Sequence, residues 1–103
     1  MRPLSQHLLG GFGNVGEGMA LQLTRDRRRI LWLAHESAPK NVTAVDVTNP
    51  RKPAVILQTD LPHARMRSNN LDVVGDVLVI AYQTSAPGLT PAGFEGWRIS
   101  TIR

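Results

Sequence analysis

The chain has 103 residues, of which 42% are hydrophobic and 19% charged, which fits one small globular domain and excludes a disordered chain. It has no cysteine, which excludes disulfides, thiol nucleophiles and thiolate metal sites. The net charge is +4 with a sequence pI near 10.7, and no apolar run is long enough for a signal sequence or a membrane span. We therefore expect a cytoplasmic chain without a membrane span.

Short apolar runs separated by turn signals predict an all-β chain. The first 18 residues are rich in glycine, and we expect them to be irregular. The predicted strands occupy residues 19–23, 30–34, 42–47, 54–59, 71–74, 77–81 and 94–100. Two of them, ILWLA and VLVIA, are apolar at every position, which is typical of strands buried on both faces.

A sharp turn is predicted after the third strand, in the sequence VDVTNPRKP. Asn49 can close this turn with its own side chain, and Pro50 and Pro53 fix φ and oppose helix. The Asp46 carboxylate stands just before the turn, and we expect it to accept backbone N–H bonds from residues 49–52.

The sequence contains an internal repeat. Residues 21–23 match 71–73, residues 30–37 match 77–84, and residues 44–48 match 96–100, with the differences in spacing falling in loops. Repeats of this length with four short strands each are typical of β-propeller blades. We therefore predict two successive four-stranded antiparallel propeller-type blades, residues 19–60 and 61–103, after a glycine-rich segment 1–18. The second blade lacks its outer strand, so the chain is predicted to be a fragment of a β-propeller.

The turn at Asp46–Pro53, combined with the apolar strand 30–34 and repeated, resembles the LVIVD-repeat family of β-propellers. Blades of that family typically end their third strand in Asp, a hydrophobic residue, Ser or Thr, and Asn-Pro-x-x-Pro. The resemblance covers most of residues 16–100, but in the second copy Arg98 replaces the Asp and residues 101–102 replace Asn-Pro. The resemblance implies a propeller with a binding or scaffolding role.

A competing hypothesis comes from the glycine segment, where Gly11, Gly13 and Gly16 form a G-x-G-x-x-G pattern. Glu36 follows about 20 residues later, where a dinucleotide-binding fold places an acid on the NAD ribose. This alternative, an oxidoreductase fragment, predicts a helix over residues 15–29. Against it, the residues before the glycines do not form a convincing buried strand, and no crossover helix follows Glu36.

Antiparallel strands within each blade sort the connections into two ends. One end, the predicted channel mouth, collects polar side chains suited either to a structural ion pair or to a polar ligand site. The candidate ligand-binding residues are Glu17, His35, Glu36, His63, Arg67, Asn69 and Asn70. Glu17 and Arg67 each come just before an innermost strand, and we expect them to be close enough to pair.

Three histidines, His7, His35 and His63, could face this mouth, and with Glu17 or Glu36 they would suit zinc or copper. A metal-dependent propeller enzyme is therefore a second alternative. The histidine spacing matches no tight ligand motif, so no metal ligand and no cofactor is predicted. No Ser-His-Asp arrangement can be recognised in the sequence, so we do not predict an enzyme.

The opposite end is predicted to be basic and suited to an acidic partner. Its residues are Arg25, Arg27, Arg28, Arg29, Arg51 and Lys52. Nucleic acid is disfavoured because no aromatic side chains interleave with these cations. The two doubly apolar strands need sheets packed on both faces, so we expect either further blades of a longer propeller or self-association.

Overall fold

The computed structural model describes residues 1–62, 64–84 and 96–101, and within these ranges the chain is all-β, as predicted. Its strands are β1 (Val15–Leu23), β2 (Arg29–His35), β3 (Lys40–Asp46), β4 (Ala54–Asp60), β5 (Met66–Val74), β6 (Val77–Thr84) and β7 (Gly96–Thr101). The helical content of these ranges is one 3₁₀ turn, Leu9–Gly11. Across the same ranges, no helix has the length and apolar character needed to cross a bilayer.

The strands form two antiparallel meanders, in which each strand pairs with its neighbour in sequence. The first sheet has the order β1-β2-β3-β4, and the second has the order β5-β6-β7. Residues 61–65 connect the two sheets. A hairpin-connected order follows from the short polar turns between the apolar runs, because antiparallel neighbours need only a few linking residues.

The main core lies between the two sheets. It is built from one face of each sheet, with β2 and β3 facing β5 and β6. The buried residues are Ile30, Trp32, Ala34, Val42 and Ala44 from the first sheet and Leu71, Leu78 and Ile80 from the second. The Trp32 indole Nε1 donates to Gln22 Oε1 at 3.0 Å, so its polar atom is satisfied inside this core.

The other face of the first sheet is also apolar, but it is only partly covered. Leu9, Leu33 and Val45 form a small buried cluster there, and Gln58 Nε2 donates to the Leu9 carbonyl at 3.0 Å. The glycine-rich segment therefore covers part of this face. Along β1, a stripe on the same face remains open: Met19, Leu21 and Leu23 are 59%, 59% and 69% exposed.

The backbones of β1 and β5 approach each other closely at Gly18. A β-carbon at Gly18 would lie 2.7 Å from the Ala34 β-carbon and 3.0 Å from the Asn70 α-carbon. Both strands are irregular nearby, because the β1–β2 register shifts between Val15 and Met19 and the β5–β6 register shifts before Asn70. The absent side chain at Gly18 thus sets the distance between the two sheets.

Two strands begin four or five residues earlier than the sequence predicted. β1 begins at Val15, inside the segment expected to be irregular, and β5 begins at Met66, inside an expected polar loop. Apart from Val15 and Met66, the added residues are glycine or polar and have weak strand propensity, but pairing with β2 and β6 and contact between the sheets determine their conformation. The first two residues of the last predicted strand, 94–95, lie outside the described residues.

The strand register corrects the alignment of the two repeats. If Leu31 of β2 corresponds to Leu78 of β6, their partners across the hairpin should also correspond. Leu21 lies opposite Leu31, and Val73 lies opposite Leu78. Leu21 therefore corresponds to Val73, two residues away from the match expected at Leu71.

The turn after β3 forms as predicted, except at its carboxylate. Asn49 Oδ1 accepts from the Arg51 N–H at 3.1 Å, and the Asn49 carbonyl accepts from the Lys52 N–H at 3.0 Å. Asp46 Oδ1 instead accepts from the Thr48 N–H at 2.9 Å, not from residues 49–52. Asp46 ends the strand, and its short side chain reaches only two residues along the chain. The Thr48 hydrogen bonds hold the pKa of Asp46 below its ordinary value.

Candidate functional site

Two connections meet at one end of the molecule. The connection between β2 and β3 (residues 36–39) touches the connection between β4 and β5 (residues 61–65), because the Leu61 N–H donates to the Pro39 carbonyl at 2.8 Å. We call this the polar end and define it by the exposed residues Glu17, Glu36, Asn69 and Asn70. The predicted site residue His63 belongs to this connection but lies outside the described residues.

The glycine-rich segment holds the β2–β3 connection in place. The Glu36 N–H donates to the Asn14 carbonyl at 3.0 Å, and Asn14 Nδ2 donates to Ser37 Oγ at 2.6 Å. Glu36 lies directly against Gly16, where an added β-carbon would be 2.5 Å from its Cγ. The Glu36 side chain therefore lies over Gly16, near the start of β1. The residue that follows Gly16 in the sequence is Glu17.

The second sheet joins the polar end through the start of β5. Ser68 Oγ is buried and lies 2.5 Å from the Asn41 carbonyl oxygen and 3.2 Å from the His35 carbonyl oxygen, both in the first sheet. The register shift after Ser68 leaves Asn69 without a partner in the ladder. Asn70 Oδ1 accepts from the Leu71 N–H at 2.9 Å. The two asparagines are thus held at the place where β5 meets β1.

The expected pairing of Glu17 with Arg67 is wrong. Arg67 donates to Gln83 Oε1 through Nη2 at 3.0 Å and Nε at 3.3 Å. None of the ion pairs between described residues joins Arg67 to Glu17. The β5–β6 register places Gln83 directly opposite Arg67, so the guanidinium finds its partner within its own sheet.

His35 was predicted to contact a ligand, but the structure buries it. Its side chain is 1% exposed, and Nε2 lies 2.6 Å from the hydroxyl of the buried Thr43. Gln58 Nε2 also donates to this hydroxyl, at 2.9 Å. Burial, with a smaller contribution from the positive charge of Lys40, lowers the pKa of His35. His35 thus lies buried beneath the polar end, and its ring is not exposed to solvent.

The histidines do not gather into a metal site in the described part of the chain. His7 accepts the Leu9 N–H on its Nδ1 at 2.9 Å, while His35 is bonded to Thr43. Residues 1–62, 64–84 and 96–101 contain no group of three or more His, Asp or Glu side chains arranged to hold a metal ion.

The local structure expected for dinucleotide binding is not found. That hypothesis required a helix over residues 15–29 after Gly11 and Gly13, whereas the structure has strand β1 there, followed by the turn to β2. Gly16 is in contact with the Glu36 side chain and does not open onto a helix N-terminus. The helix prediction is therefore wrong, because pairing with β2 outweighs the glycine pattern.

A buried polar contact that the sequence does not predict lies beneath the polar end. Asn41, at the start of β3, donates through Nδ2 to the Tyr82 hydroxyl at 3.0 Å and so joins the two sheets. Asn41 Oδ1 is buried and has no partner among the described residues. A polar residue immediately before an apolar run can be either a loop residue or a strand residue, and only the contact with Tyr82 of β6 distinguishes them.

The opposite end carries most of the predicted basic residues. Arg25 pairs with Asp76 at 3.4 Å across the two sheets, and Arg28 Nε pairs with Asp26 at 2.9 Å. Hydrogen bonds lower the pKa of Asp26, and the bond from Thr24 has a larger effect than the bond from Arg28. The remaining predicted cations at this end are exposed and form no ion pair with any described residue. They are Arg27, Arg29, Arg51 and Lys52.

A shallow groove of about 200 Å³ lies on the face of the second sheet that points away from the first. Asn70, Leu71, Asp72, Val79 and Ala81 line it. Its walls are mainly apolar, and Asp72 is the charged residue among those that line it.

Comparison of the chain with protein-family models, with curated proteins and with solved structures finds no match.

Proposed function

We propose that the chain is a propeller-type segment of the LVIVD-repeat kind, with a binding or scaffolding role and no catalytic step. The support is the packing of two meanders face to face, with their first strands β1 and β5 meeting at Gly18 and Asn70. Neighbouring propeller blades pack in this manner, with the first strand of each blade nearest the central channel. The second sheet supplies β5, β6 and β7, which fits an incomplete second blade.

The binding site of this proposal is the polar end. The observation that carries it is that four exposed polar residues lie at or beside the close approach of β1 and β5: Glu17, Glu36, Asn69 and Asn70. The backbones beneath them are tied together by Asn14, Ser37 and Ser68. Carboxylates accept hydrogen bonds and amides both donate and accept, so the site suits a ligand rich in hydroxyl or amino donors. We assign no cofactor, metal ligand or catalytic residue.

Calorimetric titration with two donor-rich probes, a neutral sugar and spermidine, tests this site. We expect one of them to bind saturably to the native chain and to lose at least about fivefold in affinity in a Glu17→Ala, Glu36→Ala double variant. Removing two acceptors costs roughly 1–3 kcal/mol in total, which corresponds to such a change. Asp26→Asn, at the opposite end, is the control and should bind normally. Equal affinity in the double variant would refute the site.

We also propose a second, weaker contact at the basic end. The supporting observation is the set of exposed cations without an ion pair to a described residue, Arg27, Arg29, Arg51 and Lys52. Such a surface attracts an acidic protein or peptide over a distance of about 10 Å at ordinary salt. Residence in the cytoplasm stays a prediction.

A further inference from the structure

Within the part of the chain that the structure describes, two apolar faces are left uncovered, one on each sheet. The first is the β1 stripe of Met19, Leu21 and Leu23. The second is the outer face of the second sheet, which contains the groove at Val79; Val77 of the same face is 36% exposed. Adjacent exposed apolar side chains of this kind mark interaction surfaces more often than isolated ones.

Inside the chain, one face of each sheet already packs against the other sheet. The internal repeat matches each of these packed faces to one of the two uncovered faces. Leu21 of the stripe corresponds by strand register to Val73, which packs against the main core from the second sheet. Val79 of the groove corresponds to Trp32, which packs in the same core from the first sheet. Each uncovered face is therefore the counterpart of one half of the intramolecular interface.

A difference in side-chain size between corresponding positions of the two sheets explains the groove. The first sheet places a tryptophan indole at the position where the second sheet has Val79, and Val79 lines the groove. The smaller side chain leaves a depression where its counterpart fills space. A leucine or methionine side chain from a β1 stripe is of a size and chemistry that would fill it.

Charges on the two uncovered faces are opposite. Asp72 lines the groove, and Arg29 lies directly across from Leu23 on the face that carries the stripe. Within the chain, an ion pair at other positions, Arg25 with Asp76, already links the two sheets. Opposite charges on two apolar faces favour one docking orientation over others.

We propose that a second copy of this chain docks head to tail, with its β1 stripe seated in the groove on the outer face of the second sheet. The inference rests on the repeat relation in the proposed function but not on the ligand site. Because two different faces meet, the contact is heterologous, and each dimer keeps one free stripe and one free groove. Copies therefore add until a ring closes or a filament grows.

Sedimentation velocity over a concentration series tests this arrangement with two variants. Leu21→Glu puts a charge on the stripe, and Val79→Glu puts one in the groove. Each variant has one damaged face on every copy, so each alone should stay monomeric while the native chain forms species larger than a dimer as concentration rises. An equimolar mixture should form 1:1 dimers and nothing larger, because one variant supplies the groove and the other the stripe.

Leu4→Glu changes an exposed leucine outside both faces and should associate like the native chain. If Val79→Glu fails to fold by circular dichroism, Val77→Glu, on the same face, replaces it. A native chain that stays monomeric, a single variant that still associates, or a mixture that stays monomeric would each overturn the proposal. Leu21→Glu lies on the stripe and not in the groove that Asn70 lines, so its sugar and spermidine affinities test the ligand site independently of association.

Discussion

The residue that sets the spacing of the molecule is Gly18. It has no side chain where the first sheet, at Ala34, and the second sheet, at the Asn70 backbone, come closest. We expect Gly18→Ala to destabilise the fold by about 1–3 kcal/mol, because the new methyl group must push two packed backbones apart. Chemical denaturation measures this as a lower midpoint with an unchanged slope.

Two other glycines serve as matched controls for that substitution. At Gly13, no heavy atom of the described residues lies within 4 Å of an added β-carbon. At Gly16, the clash would be with the Glu36 side chain, which is exposed and can rotate away. Gly13→Ala and Gly16→Ala should therefore cost much less than Gly18→Ala, and equal costs at all three would contradict the close approach.

We expect His35 to make the stability of the fold depend on pH. Its folded-state pKa lies below the ordinary value of about 6.5, so the unfolded chain binds a proton more readily than the folded one. The stabilisation from neutral His35 is therefore complete above about pH 6.5 and is lost as pH falls through the lower, folded-state pKa. We expect the melting temperature to drop on acidification from pH 7 into this window.

In a His35→Gln variant, the part of this drop that arises from His35 should disappear even if the variant is less stable at every pH. Ser37→Ala, a nearby exposed change without a titratable group, should keep the native pH profile. Parallel profiles for the native chain and His35→Gln would show that His35 does not take part.

At the scale of single strands, the sequence predicted the apolar centres well and the polar ends poorly. Strand β2 was predicted over 30–34 and spans Arg29–His35, because a run that is apolar at every position leaves little ambiguity. The first half of β5 was missed because its interior position at Ser68 is filled by a hydroxyl. Only knowledge of the carbonyl groups facing it would make that residue recognisable as buried.

At the candidate site, too, the strand pattern indicates at which end of a strand a residue lies, but only packing determines its partner. Antiparallel alternation was enough to place Glu36 near the end of β2 that faces the start of β5. The partner of Arg67 could not be foreseen, because it depends on the register of β5 against β6 across a shift that the sequence does not mark. The burial of His35 likewise depends on the position of Thr43 on the neighbouring strand.

At the scale of the whole molecule, charge is concentrated at the end opposite the polar end. If this surface binds an acidic partner, poly-glutamate should bind the chain and should dissociate as salt is raised, since exposed charges are screened. Arg51→Gln should weaken this binding measurably by fluorescence anisotropy. Arg67→Gln removes the same charge at the polar end and should have little effect, so equal losses in both variants would argue against a localised basic surface.

The shared core makes the two sheets dependent on each other, and Trp32 lies at their junction with its indole nitrogen bonded to Gln22. A chain carrying Trp97→Phe would retain this indole as its single tryptophan. Its fluorescence emission should be blue-shifted while the sheets are together and move to longer wavelength when they separate. The protein thus contains an intrinsic optical reporter that distinguishes opening of the interface from fraying of an outer strand, without any attached label.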